Sequence, residues 1–95
     1  MKIFKYVLTP NEDTLEVRGL VKVLSVESQE EDIVLYCMVH ETSTWDKTLP
    51  VKKVAYKVVG TGHMIENAAG FFYKWEFLGT VKMDNGLMFH VFIQK

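Results

Sequence analysis

The chain has 95 residues and a formal net charge of -1, and hydrophobic residues make up 48% of it. This length predicts one domain spanning residues 1–95, and the apolar content excludes an intrinsically disordered chain. The near-neutral charge argues against binding to a nucleic acid polymer, because such proteins usually carry a basic excess. The near-neutral charge is compatible with the binding of one small anionic ligand.

Cys37 is the single cysteine, which excludes a disulfide within the chain and a cysteine-based metal site. The N-terminal stretch MKIFKYVLTP lacks the apolar region and cleavage site of a signal peptide. No apolar run approaches the roughly 18 residues that a membrane span needs. We therefore expect a cytoplasmic protein with no membrane association.

The first half of the chain is predicted as four strands, over residues 2–9, 14–18, 20–27 and 33–39. The connections are predicted at Pro10–Asp13, which carries turn-forming residues, and at the polar, acidic segment Ser28–Asp32. Residues 33–39 are apolar at every position, which is typical of a strand covered on both faces. We place this strand centrally, and a buried helix is the alternative.

The second half begins with a polar connection, residues 41–50, and a strand over 51–59. Residues 54, 56 and 58 of this strand would share one face, opposite two lysines. Residues 64–70 predict one or two helical turns, with Gly70 as the C-terminal cap.

Two alternating apolar runs, residues 77–83 and 87–93, flank Asp84-Asn85-Gly86 and predict a β-hairpin. About seven short strands follow one another with turn signals between them. The fold class is therefore expected to be mainly β, a small antiparallel β-sandwich or barrel with at most one short helix.

The segment VVGTGHMI is the first candidate site. Glycines let a backbone approach a ligand closely, and successive N–H groups can form an anion-binding nest. Thr61 would add a hydroxyl, His63 an imidazole and Lys57 a positive charge. The alternative is a strand exit in which Gly60 and Gly62 supply special backbone angles, because the pattern matches neither the Walker loop nor the dinucleotide-binding fingerprint.

Aromatic residues form the second candidate site. Five of them follow the glycine segment: Phe71, Phe72, Tyr73, Trp75 and Phe77. In strand register, residues 73, 75 and 77 point one way and residues 72, 74 and 76 the other, so one set is expected in the core. Trp45 stands alone in a polar segment. An accessible tryptophan, Trp45 or Trp75, beside backbone donors and a lysine is typical of a nucleobase pocket and equally of a protein–protein hot spot. In the third interpretation Trp45 folds down onto the sheet.

The sequence shows no catalytic or metal-binding arrangement. His40, His63 and His90 lack metal-ligand spacing. Cys37 lies in the most apolar strand, where a thiol behaves as a small hydrophobe, and the carboxylates of residues 30–32 lie in a hydrophilic loop. We predict a protein that is not an enzyme and that uses no metal or cofactor. A hydrolase using His63 or His90 ranks last, because nothing in the sequence positions a partner beside either ring.

Four motifs resemble a family of short tailed-phage proteins of uncharacterised function. The family pattern joins a KY.L strand, V-G-T-G-H-x-I, L-G-T-V and a closing W-H-V-F strand. These motifs correspond here to residues 5–8, 59–65, 78–81 and 89–92. Phe89 stands where the family has tryptophan, and residues 68–77 form a longer, more aromatic insert. The resemblance spans nearly the whole chain and implies a phage origin.

Small, neutral, non-catalytic phage proteins are often inhibitors of host functions, and some are oligomers that sequester nucleotide immune signals. By analogy, the first hypothesis is a homo-oligomer that binds a cyclic nucleotide or an ADP-ribose isomer. Residues 60–63 would meet the phosphate, Lys57 would supply charge, and Trp45 or Trp75 would stack on the base. The second hypothesis is an inhibitor that docks on a host protein through an exposed sheet edge or the aromatic segment.

Overall fold

Seven strands and one short helix form the structure, a computed structural model that describes residues 1–9, 12–66 and 68–95. The elements are β1 (Lys2–Val7), β2 (Thr14–Arg18), β3 (Leu20–Gln29), β4 (Asp32–Val39), β5 (Val51–Gly60), α1 (Ala68–Lys74), β6 (Trp75–Lys82) and β7 (Met88–Gln94). The expectation of a mainly β chain with about seven strands and one short helix is confirmed. Across the described residues, no helix is long and apolar enough to cross a membrane.

The strands form two antiparallel sheets, with the orders β1-β4-β3 and β2-β5-β7-β6. The strand β4 lies in the centre of the first sheet, as its continuous apolar run predicts. Four of its residues are buried: Val34, Leu35, Cys37 and Val39. A helix over this segment, the alternative interpretation, is wrong.

The main core lies between the two sheets. Its buried members come from both sheets and from the residue after β1: Leu8, Val17, Leu35, Cys37, Val39, Val54, Tyr56 and Val91. Burial of β-branched and aromatic side chains on the facing sides of two sheets is the main favourable term in such a fold. The structure is therefore a small β-sandwich.

A second, smaller core lies on the outer face of the four-stranded sheet, where α1 covers part of it. Phe71, Trp75 and Phe92 are buried there, and Val59 and Ile65 pack against them. The strand alternation explains this core, because the residues of β5 and β7 that do not face the other sheet need a cover of their own. The helix supplies that cover.

The predicted hairpin is confirmed: β6 pairs with β7, and the connection closes through a hydrogen bond from the Met83 N–H to the Leu87 carbonyl at 2.8 Å. Gly86 adopts a φ of +88°, a left-handed backbone that favours glycine. The amide oxygen of Asn85 accepts a hydrogen bond from the Leu87 N–H at 3.0 Å. The Asn-Gly pair thus acts as predicted.

Two predicted boundaries are wrong. The helix does not end at Gly70 but runs through it to Lys74, so residues 71–74 do not alternate as in a strand. The helical backbone places the ring of Phe71 over the sheet, where it is buried with Trp75 and Phe92. The acidic connection Ser28–Asp32 contracts to Glu30 and Glu31, because Gln29 and Asp32 pair across the strands.

The predicted turn at Pro10–Asp13 and the predicted helix over 64–70 include residues 10, 11 and 67, which lie outside the described residues.

Candidate functional site

The glycine segment forms a tight turn at the end of β5. The His63 N–H donates a hydrogen bond to the Gly60 carbonyl at 3.0 Å, and Gly62 has a φ of +88°. The Thr61 N–H donates to the Met88 carbonyl at 3.2 Å. Two of the N–H groups that an anion nest would use are therefore already bonded within the protein, which favours the strand-exit interpretation.

The side chain of His63 folds back over this turn. A Cβ atom built on Gly60 would lie 2.8 Å from Cε1 of the His63 ring, so the absence of a side chain at residue 60 makes room for the imidazole. His63 remains exposed at the surface. The ring therefore lies beside the turn and can reach solvent.

His90 has two hydroxyl partners that the sequence did not reveal. The Thr61 hydroxyl lies 2.8 Å from Nε2 of His90, and the Thr80 hydroxyl lies 2.9 Å from Nδ1. The pairing of β7 with both neighbours explains this, because His90 is opposite Val59 on one side and Thr80 on the other. The expectation that nothing lies beside this ring is wrong for His90, because its partners are brought there by strand register, which no local pattern in the sequence shows.

A hydroxyl, an imidazole and an orienting group resemble a nucleophile–base arrangement. However, the group that orients His90 is the neutral hydroxyl of Thr80, which cannot stabilise an imidazolium as a carboxylate does. A neutral imidazole has one donor and one acceptor nitrogen, so one threonine donates to the ring and the other accepts from it. The arrangement fixes the glycine turn to the β6–β7 hairpin.

Lys57 and Trp75, two predicted ligand-binding residues, do come together. The Lys57 ammonium lies 5.3 Å from the centre of the Trp75 ring, and the Lys74 ammonium lies 5.8 Å from it. Trp75 is only 8% exposed and its ring stacks near Phe71. Its ring therefore offers little surface for stacking on a nucleobase.

Trp45 does not join the other candidate residues. It is 69% exposed and lies in the connection before β5, whereas the glycine turn follows β5. A ten-residue strand rises about 3.3 Å per residue, so the two ends of β5 lie about 30 Å apart. A small ligand at Gly60 cannot also contact Trp45 of the same chain.

Three aromatic side chains are exposed beside the second core, and we call them the aromatic surface: Phe72, Tyr73 and Phe77. They are 57%, 86% and 51% exposed, respectively. The Phe72 and Phe77 rings lie 6.2 Å and 5.5 Å from the buried ring of Phe92, both at inclined angles. Such contacts hold the two rings in place while leaving their outer faces open to a partner.

A cleft of about 650 Å³ opens between the sheets at one end of the sandwich, and we call it the acidic cleft. Apolar side chains and four carboxylate residues line it, including Leu8, Ile33, Tyr56, Val58, Met83, Phe89, Glu12, Asp13, Glu31 and Asp32. Residues 30–32, two of which line the cleft, were expected to form a hydrophilic loop without an apolar wall. The structure corrects that expectation, because the turn of Glu31 lies beside the open end of the core.

Tyr56 lies at the base of the acidic cleft. Its hydroxyl donates to the Thr9 carbonyl at 3.1 Å, and its N–H donates to the Asp13 carbonyl at 2.8 Å. Burial raises the pKa of the Tyr56 phenol, and the negative charges of Glu12 and Asp13 raise it further. The side chain therefore stays neutral and ties the β1–β2 connection to the sheet.

Cys37 is buried and its burial raises the pKa of the thiol to about 11, so the reactive thiolate is disfavoured. No three histidine, cysteine, aspartate or glutamate side chains within the described ranges cluster in a way that would hold a metal ion.

Comparison with known proteins places the chain in a family. The family model described as a domain of unknown function, DUF7352, matches residues 1–95. The chain belongs to this family. No curated protein and no solved structure matches this DUF7352 chain.

Proposed function

We propose that this DUF7352 protein is a non-catalytic phage accessory protein that binds a protein of the bacterial host through the aromatic surface. The observation that carries this proposal is the exposure of Phe72, Tyr73 and Phe77, with the rings of Phe72 and Phe77 held against Phe92. Large aromatic side chains that are exposed yet held in place are typical of binding hot spots, because they lose little conformational entropy on binding. The phage origin in this proposal rests on the motif resemblance of residues 5–8, 59–65, 78–81 and 89–92.

Two lysines beside the aromatic surface indicate the charge that a partner should carry at the contact. Lys57 lies in the same row of the sheet as Phe92 and Phe77, and both Lys57 and Lys74 hold their ammonium groups near Trp75. A complementary host surface would present carboxylates beside an apolar pocket. The partner is therefore expected to be acidic at the contact.

A homo-oligomer in the host cytoplasm belongs to the same proposal. The outer side of the three-stranded sheet exposes apolar side chains, among them Ile3, Val7 and Leu24, which are 58%, 48% and 36% exposed. Association of two copies over this side would bury them. A single free, buried cysteine is compatible with a reducing compartment.

Sequestration of a cyclic nucleotide or an ADP-ribose isomer is the competing proposal. The N–H groups of Thr61 and His63 are bonded within the protein and Trp75 is covered. Trp45 precedes β5 and the glycine turn follows it, and the two ends of this ten-residue strand lie about 30 Å apart. These three observations favour protein binding over nucleotide binding. A thermal-shift screen separates the two, because a ligand at a hundredfold excess over its Kd stabilises the native state by about 2.7 kcal/mol.

Affinity capture from infected cells tests the protein-binding proposal. The wild-type protein is compared with Phe72→Ser/Tyr73→Ser, and Trp45→Ser is the control because it also removes an exposed aromatic ring. We expect a defined host protein with the wild type and with the control, and its loss with the double variant. Equal capture by all three proteins, or a nucleotide that shifts the melting temperature by several degrees, would contradict the proposal.

A further inference from the structure

The acidic cleft exposes apolar side chains that point toward the core. Val58 shares one side of β5 with Val54 and Tyr56, which are 8% and 3% exposed, yet Val58 is 39% exposed. The half-buried ring of Phe89 lines the same cleft. Because a sandwich normally covers such positions, the two sheets part at this end and leave an apolar floor that a ligand would cover.

The rim of the cleft is negatively charged. Glu12 and Asp13 come from the β1–β2 connection, Glu31 comes from the β3–β4 turn, and Asp32 is the first residue of β4. No ion pair within 4 Å joins these carboxylates to another residue in the described part of the chain. The negative charge of the first pair also reaches the base of the cleft, where it contributes to the raised pKa of Tyr56.

The cationic residue of the lining does not offset this charge. Lys57 contributes to the wall of the cleft, but its ammonium lies over the ring of Trp75. Trp75 belongs to the core on the outer face of the sheet, beneath α1. The charge of Lys57 therefore lies on the outer face of the sheet, beside Trp75. The four carboxylates determine the electrostatic potential within the cleft.

We propose that the acidic cleft binds an aliphatic polyamine, a linear chain of methylene groups that carries several ammonium charges. The methylene groups would cover the apolar floor at Val58 and Phe89, while the ammonium groups would meet the carboxylates of the rim. The volume of about 650 Å³ lies within the usual range for small-ligand sites, about 300–1,000 Å³. A phosphate-bearing ligand would instead meet four carboxylates at the entrance.

Calorimetric titration with spermidine tests this inference at low ionic strength, where screening of exposed charges is weak. We expect saturable binding of one spermidine per chain. The variant Glu31→Gln/Asp32→Asn should weaken binding about tenfold, since it removes two of the four carboxylates that would meet the ammonium groups. The control Glu66→Gln/Glu76→Gln removes the same charge away from the cleft lining and should leave binding unchanged.

The floor is tested separately with Val58→Thr, which keeps the shape of the side chain and replaces a methyl group by a hydroxyl. It should also weaken spermidine binding, and circular dichroism verifies that each variant is folded. The absence of saturable binding, or equal weakening by both double variants, would overturn the inference. Equal competition by Mg²⁺, or binding of a basic peptide without binding of spermidine, would overturn it as well.

Discussion

Gly79 lies directly against Val26, so that a Cβ atom at residue 79 would be 2.8 Å from Cγ1 of Val26. This contact joins β6 to β3, the edge strands of the two sheets. We expect Gly79→Ala to lower the free energy of unfolding by about 1–3 kcal/mol, since neither strand can move without disturbing its sheet. Urea unfolding followed by tryptophan fluorescence measures this change.

Val26→Ala provides the control for this contact, because it removes the methyl group that the new Cβ atom would meet. The cost of Gly79→Ala should be smaller in the Val26→Ala protein than in the wild type, which is a coupling that a double-mutant cycle measures. Additive costs would show that Gly79 is needed for its backbone and not for this close approach.

His90 gives a second prediction, because its two ring nitrogens each have a threonine hydroxyl within 2.9 Å. Thr61→Val and Thr80→Val should each lower the free energy of unfolding by about 1 kcal/mol through the loss of one hydrogen bond. Thr44→Val, in a different connection, should have little effect. Unchanged stability in both variants would show that these hydrogen bonds do not hold the turn to the hairpin.

The pH dependence of stability follows from Cys37. Burial raises its pKa from 9.0 to about 11 in the folded state, and burial also raises the pKa of Tyr6. Because the folded-state pKa lies above the unfolded value, the stabilising contribution of the buried Cys37 thiol is fully present below pH 9. This contribution is lost as the pH rises toward 11. Urea unfolding between pH 8 and pH 11 should show falling stability, and the fall should be shallower in Cys37→Ala. An equally steep fall in that variant would assign the effect to other groups.

The two tryptophans should differ in their access to solvent, since Trp45 is 69% exposed and Trp75 is 8% exposed. In Trp45→Phe, the remaining emission of Trp75 should resist quenching by acrylamide. In Trp75→Phe, the emission of Trp45 should be quenched readily. Similar quenching of both variants would mean that the Trp75 ring is open, and stacking of a nucleobase on it would again be reasonable.

Local patterns were sufficient to predict most of the fold. The apolar run of residues 33–39 predicted the central strand, and Asn85-Gly86 predicted the hairpin, because in both places a short-range signal and the tertiary structure agree. The helix was misplaced because residues 71–74 carry aromatic side chains that also suit a strand. Its position depends on the ring of Phe71, which packs against both Trp75 and Phe92, and the sequence does not show that these rings come together.

The candidate site was harder to predict than the fold. The sequence brought Lys57 and Trp75 into one hypothesis, and they do contact each other, but it also added Trp45, which lies at the far end of β5. The threonine partners of His90 depend on strand register, and the acidic cleft depends on where two sheets separate. Neither property is encoded in a local pattern.

Photo-crosslinking in infected cells tests the central claim most directly, with a photoreactive amino acid at position 73 in one protein and at position 45 in another. Both positions are exposed in the free protein, at 86% and 69%, so chance encounters would label both. We expect one crosslinked host protein at position 73 and none at position 45. The same crosslinked species at both positions, or a crosslink at position 45 alone, would contradict binding through the aromatic surface.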